Sequence, residues 1–166
     1  MLELPFDPTL DLRLERIVEV PRARVWQAWT EPELLMQWFT PAPWRTVECE
    51  IELRPGGVFR TVMQSPEGQQ FPNLGCWLDV QPQQRLVWTD ALLPGWRPSH
   101  RTPDGSCGLH GFFTGCIELF DAGPRRTRYV ATALHRDPED SARHQAMGFS
   151  EGWGAALQQL VALLRN

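Results

Sequence analysis

The stretch Pro21-Arg22-Ala23-Arg24-Val25-Trp26-Gln27-Ala28-Trp29-Thr30-Glu31-Pro32-Glu33-Leu34-Leu35 decides how the rest of the chain is read. Proline fixes φ and carries no amide proton, so Pro21 ends the segment before it and suits the first turn of a helix. Arg22 to Trp29 then place Val25, Trp26 and Trp29 at helical spacing. Thr30-Glu31-Pro32-Glu33 reads as a capping box with proline in the first turn, which predicts a second short helix starting at Thr30 and carrying Leu34, Leu35 and Trp38 on its apolar side. Two short helices meeting at a sharp joint follow.

Upstream, residues 12–20 (Leu-Arg-Leu-Glu-Arg-Ile-Val-Glu-Val) largely alternate apolar and charged, the period of a half-buried strand. Downstream, Val47, Cys49, Ile51 and Leu53 alternate with Glu48, Glu50 and Glu52. Arg54-Pro55-Gly56-Gly57 turns that strand into one at 58–64, and Ser65-Pro66-Glu67-Gly68 leads to another around 74–80. Gln81-Pro82-Gln83-Gln84 precedes Arg85–Asp90, and after a long gap 111–120 and 126–135 pair across Asp121-Ala122-Gly123-Pro124. Short turns of this kind join antiparallel neighbours.

The C-terminal segment predicts one long helix. Asp137 is a good N-cap, Pro138 fits the first helical position, and Glu139 and Asp140 suit the positive dipole end. Ala142, Ala146, Phe149, Trp153, Leu157, Leu160, Val161 and Leu164 make an apolar stripe down its length. Gly148, Gly152 and Gly154 interrupt it at about 1 kcal/mol each relative to Ala, which implies close packing, a bend, or room for something else.

Composition bounds what such a chain can be. Its 166 residues suit one domain, 1–166 with a core over about 12–164, and need no metal or disulfide to fold. Sixteen basic residues, all Arg, against twenty acidic ones give a net charge of −4, a poor footprint for nucleic acid. Without Lys there is no Schiff-base mechanism. No apolar run reaches a membrane span, and Met1 to Asp7 lacks a basic, apolar leader, so the expectation is a cytoplasmic protein. Cys49, Cys76, Cys107 and Cys116 have no C-x-x-C spacing and read as small core residues. Eight Trp against one Tyr predict large aromatic walls inside.

The order β-α-α-β(×6)-α predicts an α+β protein, and it resembles the helix-grip fold, in which a curved antiparallel sheet of about seven strands wraps around a long C-terminal helix. Val25-Trp26-x-Ala28-Trp29-Thr30-Glu31-Pro32-Glu33-Leu34, then Gln37-Trp38-Phe39, is similar to the opening of the START-related SRPBCC superfamily, the birch-pollen-allergen-like proteins. Arg54-Pro55-Gly56-Gly57, Arg85-Leu86-Val87-Trp88-Thr89 and His144-x-x-Met147-Gly148-Phe149-x-x-Gly152-Trp153 point to the branch of homologues of the activator of heat-shock protein 90 ATPase. The resemblance implies a cavity between sheet and last helix that takes a hydrophobic or aromatic small molecule or lipid without a cofactor. It also implies two alternatives, a polyketide-cyclase-like enzyme and a chaperone-ATPase-activator-like protein contact.

Trp38, Phe39, Trp44, Phe59, Trp77, Trp88, Trp96, Phe149 and Trp153 are the candidate ligand-binding residues, since a pocket for a flat or oily molecule is built from such side chains. The competing reading of each is ordinary aromatic core. Residues 91–110 form a connection too long and aperiodic for a simple turn, either a lid carrying Trp96 or a plain excursion. His100, Cys107 and His110 in that loop match no standard zinc spacing and supply only three ligands, so no metal is expected. His135 and His144 are the candidate acid–base residues of a cyclase, or else surface or capping histidines. Arg60 and Glu118 are polar residues on strands that otherwise read as buried. For Arg60 the outward phase, with Phe59, Thr61 and Met63 inside, is favoured because an unpaired buried charge is expensive. Exposed strand edges and Trp-rich ends would suit a homodimer.

Overall fold

The computed structural model describes residues 1–100 and 111–165. Alternation does what it should in β1 (Leu12–Val18), which turns Leu14 and Val18 to the core and leaves Ile17 on the outside. After Pro21 the chain enters α1 (Arg22–Thr30), burying Val25, Ala28 and Trp29, and then the single turn α2 (Pro32–Leu35). The joint between them is sharp, but the capping box does not form. Thr30 is the last residue of α1, its hydroxyl donates to the Trp26 carbonyl, and Glu31 is the N-cap of α2 without a side-chain bond. A Thr already inside a helix meets its own i−4 carbonyl first, which takes its hydroxyl away from capping.

Six further strands complete a sheet: β2 (Arg45–Ile51), β3 (Val58–Gln64), β4 (Gln70–Gln81), β5 (Arg85–Thr89), and then, beyond a small hairpin β6 (Leu92–Leu93) and β7 (Arg97–Pro98), β8 (Thr114–Asp121) with β9 (Thr127–Leu134). The seven main strands lie in the order β1-β9-β8-β5-β4-β3-β2, every pair antiparallel. This is the sheet of the helix-grip fold.

The single C-terminal helix expected from 138 to 165 is two helices, α3 (Pro138–Ala146) and α4 (Phe149–Arg165). The chain breaks at Met147–Gly148, where Gly148 has φ +91°, a conformation that side-chain-bearing residues avoid. The break lets α3 run with its own buried face, Asp140, Ser141 and His144, while α4 lays Phe149, Ala156, Leu157 and Leu160 on the sheet. Asp137 caps α3 as expected, its side chain accepting from the Asp140 amide at 2.8 Å. Of the two remaining glycines, Gly152 faces Pro41 across α4, whereas a Cβ at Gly154 would meet nothing within 4 Å.

The strand phases settle the two polar residues. Phe59 and Thr61 are buried on the inner face of β3, and Arg60 faces outward between Glu48, at 2.7 Å, and Glu50, at 3.7 Å. Glu118 also points away from the helices, since Ile117 and Leu119 hold the core side of β8, yet it is fully buried. The N-terminal segment covers it: the Leu4 amide donates to the carboxylate at 3.1 Å, and Arg85 pairs with it at 2.7 Å while also donating to the Leu2 carbonyl. Glu3 ties the same segment to Arg13 and Arg128.

Of the connection 91–110, the first part is the β6–β7 hairpin. It is pinned to the β2–β3 turn by the Gly95 amide, which donates to the Gly56 carbonyl at 2.8 Å, and by the Trp96 ring lying on Gly56. Residues 101–110, with Cys107 and His110, lie outside the described residues. Cys49, Cys76 and Cys116 are free thiols, the last two buried. Burial pushes the Cys49 thiol up to about 11 and the Cys116 thiol up to about 12, so both stay protonated and unreactive at neutral pH.

Candidate functional site

Between the inner face of the sheet and the helices is a cavity of about 220 Å³. Helix α1 and the segment after α2 supply one side through Trp29, Trp38 and Phe39. These rings meet edge to face, Trp29 with Trp38 at 5.0 Å and with Phe39 at 5.6 Å, the geometry preferred by aromatic quadrupoles. The Trp38 indole is held by its N–H, which donates to the Ala28 carbonyl at 2.9 Å. Without that bond a buried indole would leave a donor unpaired, so it fixes the ring orientation.

The sheet supplies Phe59, Thr61 and Met63 from β3, Asn73 and Gly75 from β4, Trp88 from β5 and Tyr129 from β9. Trp88 lies against β8 because residue 115 is glycine. A Cβ there would stand 2.3 Å from the indole. Opposite, α4 contributes Gly152, Trp153 and Ala156, and Trp153 stacks nearly parallel over Trp88 with 6.5 Å between centroids. The wall is therefore mostly aromatic, with five polar side chains let into it: Thr61, Asn73, Asp90, Tyr129 and His144.

These polar groups fall at two ends of the strands. Tyr129 is near the start of β9, next to Trp29, whose indole N–H donates to its hydroxyl oxygen at 3.1 Å. Burial pushes the Tyr129 hydroxyl well above its usual range, so it is a protonated phenol at any ordinary pH. Asp90 follows β5, Phe113 precedes β8 and His135 follows β9, all at the opposite end, and the Phe113 amide donates to Asp90 at 3.0 Å. There His144 of α3 meets His135, Nδ1 to Nε2 at 2.9 Å, and the other nitrogen of His135 lies 2.9 Å from the Leu10 carbonyl. Both imidazoles are buried, and His144 packs on Phe113 with ring centroids 4.9 Å apart.

Five of the nine candidate ligand-binding residues line this cavity: Trp38, Phe39, Phe59, Trp88 and Trp153. The other four do not. Trp77 sits behind the wall, stacked on Phe59 at 4.4 Å, and its buried indole N–H has no acceptor among the described residues. Phe149 is buried beneath His144 and Trp153. Trp44 lies half-exposed against Phe71, and Trp96 is 55% exposed over Gly56, so it closes no cavity mouth. The two candidate histidines come together as one pair, with His144 in the cavity wall and His135 behind it. His100 is exposed.

Sequence reading missed Trp29 and Tyr129 as cavity residues. The signal was present for Tyr129: the inner-face residues of β9 are Tyr129, Ala131 and Ala133, so the single tyrosine of the chain stands beside two side chains too small to fill the space.

The family model described as Activator of Hsp90 ATPase homolog 1-like protein matches residues 19–165. A solved structure of a protein from Nitrosomonas europaea is similar over 96% of this chain and 97% of its own, with 46% identity and a TM-score of 0.87. A protein from Arthrobacter aurescens, 20% identical, covers 99% of this chain and 91% of its own with a TM-score of 0.79. The AHSA1 protein from Silicibacter pomeroyi, 23% identical, covers 93% of this chain and 97% of its own with a TM-score of 0.67. The last two likenesses concern the fold alone. None of the curated proteins matches. No helix among the described residues is long and apolar enough to cross a membrane.

Proposed function

The chain belongs to the family of proteins like the activator of Hsp90 ATPase homologue 1, and from that premise we propose that it binds a hydrophobic or aromatic small molecule in the cavity between sheet and helices. The observation that carries this reading is the cavity wall itself. Seven aromatic rings (Trp29, Trp38, Phe39, Phe59, Trp88, Phe113 and Trp153) surround a space of about 220 Å³ and leave only a few oriented polar groups. An apolar pocket with a small number of placed polar atoms is how small-molecule sites are built. Four of the rings are indoles, so occupancy should be visible in the protein's own fluorescence.

The test is a titration with naphthalene, following tryptophan emission and thermal unfolding together. A ligand that binds only the folded state adds RT ln(1 + [L]/Kd), about 2.7 kcal/mol at a hundredfold excess over Kd. A saturable emission change with a matching rise in Tm supports the reading; neither change at the solubility limit overturns it. Native against denaturing mass spectrometry of freshly purified protein would further show any carried ligand as an extra mass lost on unfolding.

A second reading, a cyclase-like enzyme, has one observation in its favour: a hydrogen-bonded imidazole pair with one ring in the cavity wall. An imidazole near neutrality can move a proton to or from a bound carbonyl compound. That reading expects His144→Ala to lose turnover of a bound substrate while keeping its affinity, a split that a pure binder would not show.

A further inference from the structure

We infer that the molecule held in this cavity is a small, uncharged aromatic of one or two rings, carrying at its buried end a carbonyl or ether oxygen that accepts the hydroxyl proton of Tyr129. The inference rests on the binding reading above and adds the ligand's size, charge and orientation.

Size comes from the volume. An engineered cavity of about 150 Å³ takes benzene. A space of about 220 Å³ takes a bicyclic molecule, and it is short of the several hundred Å³ that surround larger ligands. A long acyl chain or a polycyclic polyketide would have to push the walls apart.

Charge comes from the lining. Asp90 is part of the wall, and no Arg is among the described residues that line it. A carboxylate placed among the rings would lose its hydration with no guanidinium among the described lining residues to replace it. A neutral molecule loses much less.

Orientation comes from Tyr129. A phenol is one donor and one acceptor. Its oxygen takes the Trp29 N–H at 3.1 Å, while its own proton has no acceptor among the described residues. The residue is only 3% exposed and its side chain lines the cavity. A buried donor without a partner is destabilising, and a ligand oxygen placed there removes that cost. The Trp29 N–H also polarises the phenol, which strengthens it as a donor. Because burial keeps Tyr129 protonated, it offers a donor across the whole accessible pH range.

The experiment uses tetralin and 1-tetralone, two bicyclic molecules of nearly equal shape that differ by one ketone oxygen. Their dissociation constants are measured by tryptophan fluorescence for the wild type and for Tyr129→Phe. The expected result is a fall of about 3- to 10-fold in the affinity for 1-tetralone relative to tetralin when the hydroxyl is removed, the range of one neutral hydrogen bond. If tetralin binds and that ratio does not change, the inference is overturned and the cavity reading stands. If neither molecule binds the wild type, both are overturned together.

Tyr129→Phe also strips the Trp29 N–H of its acceptor, so the variant could unfold. The infrared carbonyl stretch of 1-tetralone bound to the wild type gives an independent readout. A single band shifted below its position in cyclohexane supports the hydrogen bond, and a band at the cyclohexane position overturns it.

Discussion

His135 and His144 share one hydrogen bond, Nε2 to Nδ1 at 2.9 Å, and the Leu10 carbonyl behind them sets its direction. A carbonyl can only accept, so the His135 nitrogen facing it, Nδ1, carries a proton. In the neutral ring Nε2 is then a lone pair, and His144 must donate from its own Nδ1. The N-terminal segment thus fixes, through two rings, the tautomer of the imidazole in the cavity wall. With both imidazoles neutral, nitrogen-15 NMR should find both rings as Nδ1–H tautomers. An Nε2–H signal for His135 would sink this assignment. Replacing His135 by Phe removes the acceptor of the His144 Nδ1–H and should shift the His144 Nδ1 resonance.

Arg85 and Glu118 provide a test of a different kind. Their pair is almost fully buried under residues 2–4, with side-chain exposures of 11% and 0%. Breaking such a pair strands a charge and costs about 3–5 kcal/mol, whereas replacing both partners with apolar groups is often neutral or better. Arg85→Met alone should therefore destabilise strongly, and Arg85→Met with Glu118→Leu should recover most of the loss. Urea unfolding of the two variants against wild type checks this. A double variant as unstable as Arg85→Met alone would mean that the lost bonds to Leu2 and Leu4, and not the stranded charge, account for the destabilisation.

The same segment should respond to acid. The hydrogen bond from Arg128 holds the Glu3 carboxyl below its ordinary value of 4.5, against a smaller opposing effect of burial. A carboxyl with a lowered folded-state value contributes stability that is fully present above 4.5 and is lost as pH falls through that lowered value. Glu3 is one-third exposed and screened, so its share is below about 1 kcal/mol. Wild type should exceed Glu3→Gln in stability at pH 7 and lose that small advantage as the pH falls from 4.5 through the carboxyl's lowered value. A difference that stays constant over this range would remove the ion pair from the account.

How far the sequence showed these features depends on whether a residue's surroundings are local. Period-2 strands, turn residues and Pro-initiated helices depend on near neighbours, and they were legible to within a few residues, as 58–64 was for β3. The helix break is half legible: Gly148, Gly152 and Gly154 stand together in the sequence, but only a backbone angle of +91° distinguishes the first as a break. Glu118 was legible as odd and not as explained, because its cover comes from residues 114 positions away. Among the aromatics, Trp77 and Phe59 both point inward, and stacking order alone decides that Phe59 reaches the cavity and Trp77 does not. That order is set by three strands at once. Trp96 misled because a bulky apolar residue in a long loop resembles a lid, whereas its landing place on Gly56 depends on a contact across 40 residues.

Gly152 and Gly154 separate the cost of helix flexibility from the value of empty space. A side chain at Gly154 would meet nothing within 4 Å, and no positive φ constrains it, so Gly154→Ala should only remove backbone freedom from the unfolded chain. It should stabilise by about 0.5–1 kcal/mol, the difference in helix propensity, and leave naphthalene binding unchanged. Gly152 has the same helical backbone but lines the cavity, with Pro41 as its nearest neighbour at 4.0 Å. Gly152→Leu should gain nearly the same propensity and also project four carbons into the space beside Trp153 and Ala156. The protein should unfold at an equal or higher temperature and bind naphthalene at least about 10-fold more weakly, 1.4 kcal/mol on the affinity scale. Calorimetry and the fluorescence titration read the two effects separately. If Gly152→Leu is stable and binds as well as wild type, naphthalene does not occupy the cavity; if it unfolds while Gly154→Ala is stabilised, the space beside Gly152 is tighter than described.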